Sequence, residues 1–348
     1  MAKLTKVMTT GFVFVDILAT ELPMIPGPGE QVMVPPGIKI WLGGHPANVA
    51  VDLRQLSFKG EVRTVLSIGD DLFGDFVQRF LASKGVNATL QRVKNIQTGI
   101  SIILVIKGRD KANIVDYGAN IFLDYHNVMH SLQDFKPEIL YVASGILGDF
   151  DLMLKDLLEY CEHRNILTVV DLVHPYGKDW SYSHSALPFV SVLHSNVKEL
   201  EGITGQKGLK EGLKWLEEKG VKFPIVTDGG NGVTAFFKDK YIIQPAFNVK
   251  AIDPTGAGDA FCAGMIRKIS ELVKRGKKIG DLSVEDAKRI LLFAQAAGAA
   301  CVGEIGTTKG VTIERVKHII KEQGMEILSK TIVRDVKYNN ASQSEVVL

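Results

Sequence analysis

Short apolar runs alternate with longer amphipathic stretches over most of the second half of the chain. From about residue 137 onward, the runs have the length of buried strands, and the stretches between them carry apolar residues at helical spacing. The pattern predicts strands at 139–143, 167–171, 190–194 and 224–227, a hairpin across 233–249, and helices at 151–163, 207–219, 258–275, 284–302 and 312–324. Strands that alternate with helices imply a mostly parallel sheet covered on both faces. We therefore predict an α/β fold.

The first apolar run, at 5–15, predicts a buried strand that ends at Asp16. Open α/β sheets bind their ligands at the carboxyl ends of their strands, so Asp16 is a candidate binding residue. A simple turn or cap residue is the alternative interpretation. A second strand at 62–68 leads into a helix that reaches Ser83.

Extended segments with little helix lie between these elements and predict a small separate sheet. Residues 20–44 are rich in proline and glycine, and the β-rich run at 98–106 is followed by a charged turn and a second extended segment. We predict that about 17–42 and 98–120 form a β-sheet lid that closes over a substrate. The lid belongs to a domain of residues 1–330, and a polar tail follows at 331–348.

A glycine-rich turn precedes the predicted helix at 258–275. The stretch 251–264 has the sequence AIDPTGAGDAFCAG, in which Gly256 and Gly258 allow the backbone to approach a ligand closely. Backbone amides at such a helix N-terminus bind anions and favour phosphate. Asp259 would then lie beside the phosphate, where a carboxylate can take a proton from an incoming hydroxyl. These features are those of a kinase that acts on an alcohol, and an ordinary Asp cap after a flexible turn is the alternative.

A second glycine pair precedes another helix. Gly43 and Gly44 are followed by His45, Pro46 and, one turn into the helix, Asn48. This arrangement lets a small polar ligand approach the backbone. His45 is a candidate substrate contact, although local turn chemistry explains it equally well.

Composition and charge exclude several classes of partner. The 348 residues include 41 basic and 39 acidic side chains, a net charge of +2, which gives no electrostatic basis for binding nucleic acid or a membrane surface. The three cysteines form no CxxC pair, which favours a reducing compartment. No apolar run approaches the ~20 residues that span a bilayer, and Asp16 interrupts the N-terminal one. We expect a soluble cytoplasmic protein.

Other motifs carry less weight. The sequence contains neither GxxxxGK[ST] nor GxGxxG, which argues against a P-loop enzyme and a dehydrogenase. His126 and His130 have the i, i+4 spacing of a zinc pair, but no glutamate follows His126 as in HExxH, so a surface or packing role is favoured.

Four motifs taken together resemble the PfkB, or ribokinase-like, family of carbohydrate and nucleoside kinases over roughly residues 5–325. The motifs are DPTGAGD at 253–259, the glycine pair 43–44 with Asn48, NVKE at 196–199, and TDGGNG at 227–232. The resemblance implies a ribokinase-like three-layer sandwich with a mostly parallel central sheet and a small β-sheet lid.

The resemblance also implies a role for each motif. Asp259 would be the catalytic base, with Gly256, Ala257 and Gly258 as the anion hole. The sugar hydroxyls would be held by Asp16, Gly43, Gly44 and Asn48. Asn196 and Glu199 would organise Mg²⁺ through water, and Thr227, Gly229 and Gly232 would line the ATP site. A monovalent cation such as K⁺ would lie near Asp253, Thr255 and the carbonyls around 301–306, and the lid could pair two subunits into a homodimer.

Three positions depart from the family pattern. Asp228 stands where an apolar residue is usual, Gln295 stands where Asn or His often lines the adenine, and the segment 171–174 lacks the usual Asn or Arg. These departures concern how the nucleotide is held.

Four functions remain open at this point. A sugar kinase acting on ribose, fructose or a 2-keto-3-deoxygluconate-like acceptor fits the motifs. A nucleoside kinase would use aromatic stacking, for which Trp41 and Tyr117 are candidates, and a phosphosugar kinase would use the lid cations Lys107, Arg109 and Lys111. A ligand-binding protein without turnover is the fourth.

Overall fold

A computed structural model describes residues 4–34, 36–107 and 111–336, with the side chain of Lys111 left out. Its strands are β1 (Lys6–Gly11), β2 (Phe14–Leu22), β3 (Ile38–Gly43), β4 (Glu61–Gly69), β5 (Asn87–Val93), β6 (Ile100–Ile106), β7 (Lys111–Asp116), β8 (Ile139–Ser144), β9 (Leu167–Leu172), β10 (Val192–Asn196), β11 (Pro224–Thr227), β12 (Val233–Phe237), β13 (Lys240–Gln244) and β14 (Ile332–Asp335).

Ten α-helices connect these strands in the described ranges. They are α1 (His45–Gln55), α2 (Leu72–Ser83), α3 (Tyr125–Phe135), α4 (Asp149–Leu152), α5 (Leu154–His163), α6 (Val197–Thr204), α7 (Leu209–Glu218), α8 (Ala257–Val273), α9 (Val284–Val302) and α10 (Ile313–Lys330). Short 3₁₀ helices occupy Gly118–Phe122, Trp180–Phe189, Gly229–Asn231 and Ile279–Asp281. No helix of the described ranges is both long and apolar enough to cross a membrane.

The central sheet has ten strands in the order β14-β13-β12-β11-β10-β9-β8-β1-β4-β5. The strands from β5 to β11 pair in parallel, and β12, β13 and β14 continue the sheet antiparallel. All six residues of β8 and of β9 are buried. Because alternate residues of a strand point to opposite faces, both faces of the sheet are covered. The predicted α/β architecture is confirmed.

The lid is a separate four-stranded sheet in the order β3-β2-β6-β7. In-register pairing places Asp16 beside Trp41 and Ser101 on one lid face. Ile17 pairs with Ile40 and Ile102 on the other face. We call the face that carries Asp16 and Ser101 the polar lid face, and the opposite face, which carries the three isoleucines, the apolar lid face.

The predicted first strand at 5–15 is wrong, because the chain forms two strands in different sheets. β1 ends at Gly11, whose φ of 142° and close approach to the Ala143 carbonyl oxygen exclude a side chain. The chain then leaves the central sheet and enters the lid. Asp16 consequently lies within lid strand β2 and does not terminate a strand of the central sheet.

The sequence analysis did not predict β5, α3, α6 and β14. β5 and β14 bury little apolar surface, whereas α3 buries Val128, Leu132 and Phe135. β5 is a polar edge strand, and α3 begins where the Asp124 side chain accepts the Asn127 N–H at 2.9 Å. β14 is exposed and pairs antiparallel with β13, and an ion pair between Lys240 and Asp335 also joins the two strands. The predicted tail therefore begins with an ordered edge strand, and its residues 337–348 lie outside the described ranges.

Candidate active site

The glycine-rich turn leads directly into the N-terminus of α8. Gly256 has a φ of 83°, and a Cβ at this position would collide with the Thr307 carbonyl oxygen. Glycine is therefore required at residue 256. The Ala257 N–H donates to the Pro254 carbonyl oxygen at 3.2 Å. The Gly258 and Asp259 amides lie in the first helical turn, where a helix provides no acceptor, so they can bind an anion.

Asp259 is buried and held by a helix distant in sequence. The Asn48 Nδ2 donates to Asp259 Oδ2 at 2.8 Å, and the Asn48 Oδ1 accepts the Thr307 hydroxyl at 3.1 Å. Burial raises the pKa of Asp259, and the charge of His45 and the Asn48 amide oppose this rise. The carboxylate therefore has a fixed orientation in a site that excludes water.

The glycine pair brings the lid against α1. A Cβ on Gly43 would collide with both carboxylate oxygens of Asp16, and a Cβ on Gly44, whose φ is 95°, would lie 2.5 Å from the Phe12 carbonyl oxygen. Gly44 is also the residue before α1, which carries Asn48. The structure thus places Asp16 against Gly43 and Asn48 against Asp259, and Gly44 joins the lid to the helix that carries Asn48.

Asp171, at the end of β9, is a buried acid that sequence analysis did not propose as a site residue. Its Oδ2 accepts the Tyr141 hydroxyl at 3.2 Å and lies 3.2 Å from His194 Nδ1 and 3.7 Å from Cys262 Sγ. Burial alone would raise the pKa of Asp171, but His194 and then His45 outweigh it and hold this pKa below its usual range. An acid at the carboxyl end of a parallel strand was the available signal.

His45 lies between the two buried acids. Its Nδ1 is 3.4 Å from Asp259 Oδ1 and 3.5 Å from Asp171 Oδ2. Burial alone would lower the pKa of His45, but the charges of Asp259 and Asp171 outweigh it and raise this pKa to about 10. His45 is therefore a cation at neutral pH.

Asn196 and Glu199 form a capping box at the start of α6. The Asn196 N–H donates to Glu199 Oε2 at 2.8 Å, and the Glu199 N–H donates to Asn196 Oδ1 at 2.9 Å. Burial and the charge of Asp171 raise the pKa of Glu199 to about 7. A divalent cation held near Glu199 would offset the negative charges of Glu199 and Asp171. The residues present therefore fit Mg²⁺ bound through water.

A cavity of about 280 Å³ adjoins the N-terminus of α8. It is lined by the predicted nucleotide residues Thr227, Gly229 and Gly232, and also by Ala257 and Gly258. The cavity therefore reaches from the 227–232 loop to the anion-binding amides. Asn196 and Glu199 are not among its lining residues.

The two unusual residues near this cavity have different environments. The Asp228 side chain is exposed and accepts from Asn231 Nδ2 at 2.9 Å, so it stabilises the turn and does not line the cavity. Gln295 lines the cavity, and its Nε2 donates to Gln244 Oε1 at 2.7 Å.

Asp253 connects the turn to the 301–307 segment. Its Oδ1 accepts the Thr255 N–H at 3.0 Å and its Oδ2 accepts the Gly306 N–H at 3.2 Å. The carbonyl oxygens of Thr255 and Thr307 lie 3.5 and 3.2 Å from Cys301 Sγ. Asp253, Thr255 and the 301–306 segment are the residues near which the family resemblance implies a monovalent cation.

Of the remaining candidates, Trp41 lies beside Asp16 in the lid, and both aromatic candidates contact other rings. The Trp41 ring contacts the Phe80 ring with a centroid distance of 5.5 Å, and Tyr117 contacts Tyr176 at 4.6 Å. His126 and His130 belong to neither of the residue groups in the described ranges whose spacing could hold a metal ion. Lys107 is exposed, and Arg109 lies outside the described residues.

Comparisons with known proteins agree with this geometry. A model of the pfkB family of carbohydrate kinases matches residues 4–314. Deoxyribokinase from Salmonella typhi is 30% identical over 254 residues, which cover 70% of this chain and 79% of the relative. Ribokinase from Haemophilus influenzae is 27% identical over 312 residues, which cover 86% and 94%.

Solved structures share the fold at lower identity. Arabidopsis thaliana ribokinase complexed with ribose and ATP is similar with a TM-score of 0.74 and 20% identity, over 92% of this chain and 99% of that one. The ribokinase-like fold predicted from the four motifs is confirmed. The chain therefore belongs to the pfkB family of carbohydrate kinases and is a phosphotransferase with an alcohol group as acceptor.

Proposed function

We propose that the protein transfers the γ-phosphoryl group of ATP to a hydroxyl of a small sugar, with Asp259 as general base. One observation carries the proposal, namely that the first turn of α8 joins a cavity to a buried carboxylate. Ala257 and Gly258 line the cavity of about 280 Å³, and the next residue is Asp259, whose carboxylate is held by Asn48. A phosphoryl group at the amides would lie between a nucleotide and a sugar.

The reaction requires one proton transfer and one phosphoryl transfer. Asp259 accepts the proton of the attacking hydroxyl while the new O–P bond forms and the bond to the ADP oxygen breaks. The Gly258 and Asp259 amides donate to the phosphoryl oxygens, and Gly256 provides the turn that aims them. The Ala257 amide joins them only if it releases the Pro254 carbonyl oxygen.

Mg²⁺ would be held through water by Glu199, with Asn196 fixing that side chain through the capping box. The ion supplies positive charge that neutralises the phosphate oxygens.

The sugar would bind between the polar lid face and α1. The Asp16 carboxylate can accept from two neighbouring hydroxyls, and the Asn48 amide retains a second N–H beside Asp259. Gly43 lacks a side chain and so lets the Asp16 carboxylate pack against its backbone, and Gly44 packs against the Phe12 carbonyl oxygen. Because two relatives are named deoxyribokinase and ribokinase, deoxyribose and ribose are the first acceptors to test.

Hydrogen bonding around Gln295 supports adenine as the base. Gln244 Nε2 donates to the Lys288 carbonyl oxygen at 3.2 Å and to Thr331 Oγ1 at 3.1 Å, and the Thr331 hydroxyl donates to the Ile327 carbonyl oxygen. Gln244 must therefore present its Oε1 to Gln295 Nε2. Gln295 Oε1 is left as an acceptor for the 6-amino group of adenine, whereas guanine presents a carbonyl oxygen there.

A monovalent cation such as K⁺ would bind near Asp253 and Thr255. The side-chain oxygens of Asp253 and the carbonyl oxygens beside Cys301 are the hard ligands that such an ion uses.

A nucleoside acceptor is the second candidate, and its supporting observation is the Tyr117–Tyr176 pair at the lid. A phosphosugar acceptor would need the lid cations Lys107, Arg109 and Lys111. Of these three, only Lys107 has its side chain among the described residues.

A coupled ADP-release screen tests the function. The panel contains ribose, deoxyribose, fructose, 2-keto-3-deoxygluconate, inositol, nucleosides and phosphosugars, each with ATP and with GTP. We expect turnover with at least one free sugar, a requirement for Mg²⁺, and a lower KM for ATP than for GTP. ADP formation only with nucleosides or phosphosugars selects those alternatives, and no ADP with any acceptor supports a binding protein.

We also propose that the apolar lid face pairs two copies of the chain. Ile40, Ile17, Ile102 and Ile114 form one in-register row across the lid. Ile40 and Ile114 at its ends are 49% and 60% exposed, and Ile38 in the next row is 62% exposed. Contiguous exposed apolar surface of this kind marks interaction sites.

Charging the lid face tests the dimer. Ile40→Glu with Ile114→Glu is expected to convert a dimer into a monomer in analytical ultracentrifugation, because two glutamates in each copy would be buried against their counterparts. Met325→Glu is the control, since Met325 is an 82% exposed apolar residue on α10. A wild-type chain that sediments as a monomer at micromolar concentration would contradict the proposal.

A further inference from the structure

Both carboxylate oxygens of Asp259 have a partner on the same helix. Asn48 Nδ2 donates to Oδ2 at 2.8 Å, and His45 Nδ1 lies 3.4 Å from Oδ1. His45 and Asn48 are three residues apart on α1, so they share one face of that helix. The helix therefore supplies an amide to one oxygen and an imidazole to the other.

His45 also contacts a second acid, which explains why a cation is needed there. Its Nδ1 lies 3.5 Å from Asp171 Oδ2. Two buried carboxylates that share one neighbour repel each other, and the usual result is that one of them takes up a proton. A positive charge between them allows both to stay ionised.

We propose that His45 is a positioning residue whose imidazolium keeps Asp259 ionised and aimed at the acceptor hydroxyl. The inference rests on the proposed role of Asp259 as base. His45 itself exchanges no proton with the substrate. It acts by lowering the free energy of the Asp259 carboxylate relative to the carboxylic acid.

The other titratable groups around His45 do not replace it. On β10, His194 is bonded to Asp171 at 3.2 Å, and Tyr141 on β8 and Cys262 on α8 also donate to Asp171. Glu199 on α6 adds further negative charge near His45. On α1 itself, burial and the charge of Asp259 raise the pKa of Asp52 well above its usual range.

The charges facing His45 are therefore predominantly negative, which agrees with its raised pKa of about 10. Burial raises the pKa of Asp259, and His45 is the largest opposing contribution. Loss of His45 would remove this contribution, and only the smaller contributions of Asn48 and His194 would still oppose the rise. The pKa of Asp259 would then rise further.

The pH dependence of kcat/KM tests the proposal. The acid limb is the fall in kcat/KM at low pH as Asp259 takes up a proton. In His45→Gln, the apparent pKa of this limb is expected to move ~1–3 pH units upward, the size of shift that a neighbouring opposite charge produces. kcat/KM then falls ~10–1000-fold at acid pH and recovers at alkaline pH. His45→Lys retains a cation and is expected to keep the wild-type limb, and His126→Gln, which replaces an exposed histidine, is the control. An unchanged limb, or the same fold-loss at every pH, would overturn the proposal.

A second measurement needs no substrate. Because the folded pKa of about 10 exceeds the ordinary 6.5, the stability from the His45 ion pairs is complete below pH 6.5 and is lost as the pH rises through about 10. The stability difference between wild type and His45→Gln should follow this course and should be smaller in an Asp259→Asn background, in which Asp171 is the remaining acidic partner of His45. Additive effects of the two changes would overturn the His45 proposal even in an active enzyme. Coupled effects with no sugar phosphorylated would instead contradict the proposed function alone.

Discussion

Asp259→Asn is expected to lower kcat by ~10²–10⁴-fold, the usual contribution of a general base, while the protein stays folded. Asparagine has the shape of aspartate, and its side-chain oxygen can still accept from Asn48 Nδ2. It cannot accept the proton of the acceptor hydroxyl. The measurement is kcat with the best sugar of the screen, together with thermal unfolding of the variant.

Asp124→Asn is the matched control for this change. Asp124 caps α3 through the Asn127 N–H, and asparagine caps a helix about as well as aspartate. This variant should keep both activity and stability. Near-normal kcat in Asp259→Asn would remove Asp259 from the role of base.

Gly256→Ala should have a comparable effect through the backbone. A Cβ would collide with the Thr307 carbonyl oxygen, and the φ of 83° itself costs ~1–3 kcal/mol for a residue with a side chain. The turn must shift to relieve the collision, which moves the amides of the first turn of α8. Misplacing one such donor typically costs ~10²–10³-fold in kcat. The measurement is kcat alongside the free energy of unfolding.

Gly276→Ala separates backbone strain from the collision. Gly276 follows the other end of α8, has a φ of 74° and would bring its Cβ within 4 Å of no atom. Both variants should lose stability, but only Gly256→Ala should lose turnover. Equal kcat in the two variants would contradict the assignment of the α8 N-terminus as the anion site.

The site residues that could be found from the sequence lie in continuous motifs. The turn at Gly256 and the capping box of Asn196 and Glu199 depend on local backbone geometry, which neighbouring residues determine. Asp16 was placed at the end of a central strand, whereas it lies in the lid. The chain leaves the central sheet after Gly11, and this depends on the contact of Gly11 with Ala143, a residue of β8. An apolar run shows that strands are present, but it does not show in which sheet each strand pairs.

Other features depend on residues that only the folded chain brings together. Asp171 collects partners from β8, β10 and α8, and no spacing along the chain predicts that these side chains meet. The Gln244–Gln295 pair likewise joins β13 to α9. The charge of His45 likewise depends on its contacts with Asp259 and Asp171, because an isolated histidine in water is mostly neutral at pH 7.

The sequence by itself determined the fold class, the family and the two glycine-rich helix starts, because apolar periodicity and backbone turns are local properties. The tertiary structure decided where Asp16 lies, which acids surround His45, and which way Gln295 points its acceptor. Distances between side chains from separate strands and helices depend on how those elements pack. Electrostatic interactions depend on those distances and on burial, so the ionisation of the site becomes evident only in the folded molecule.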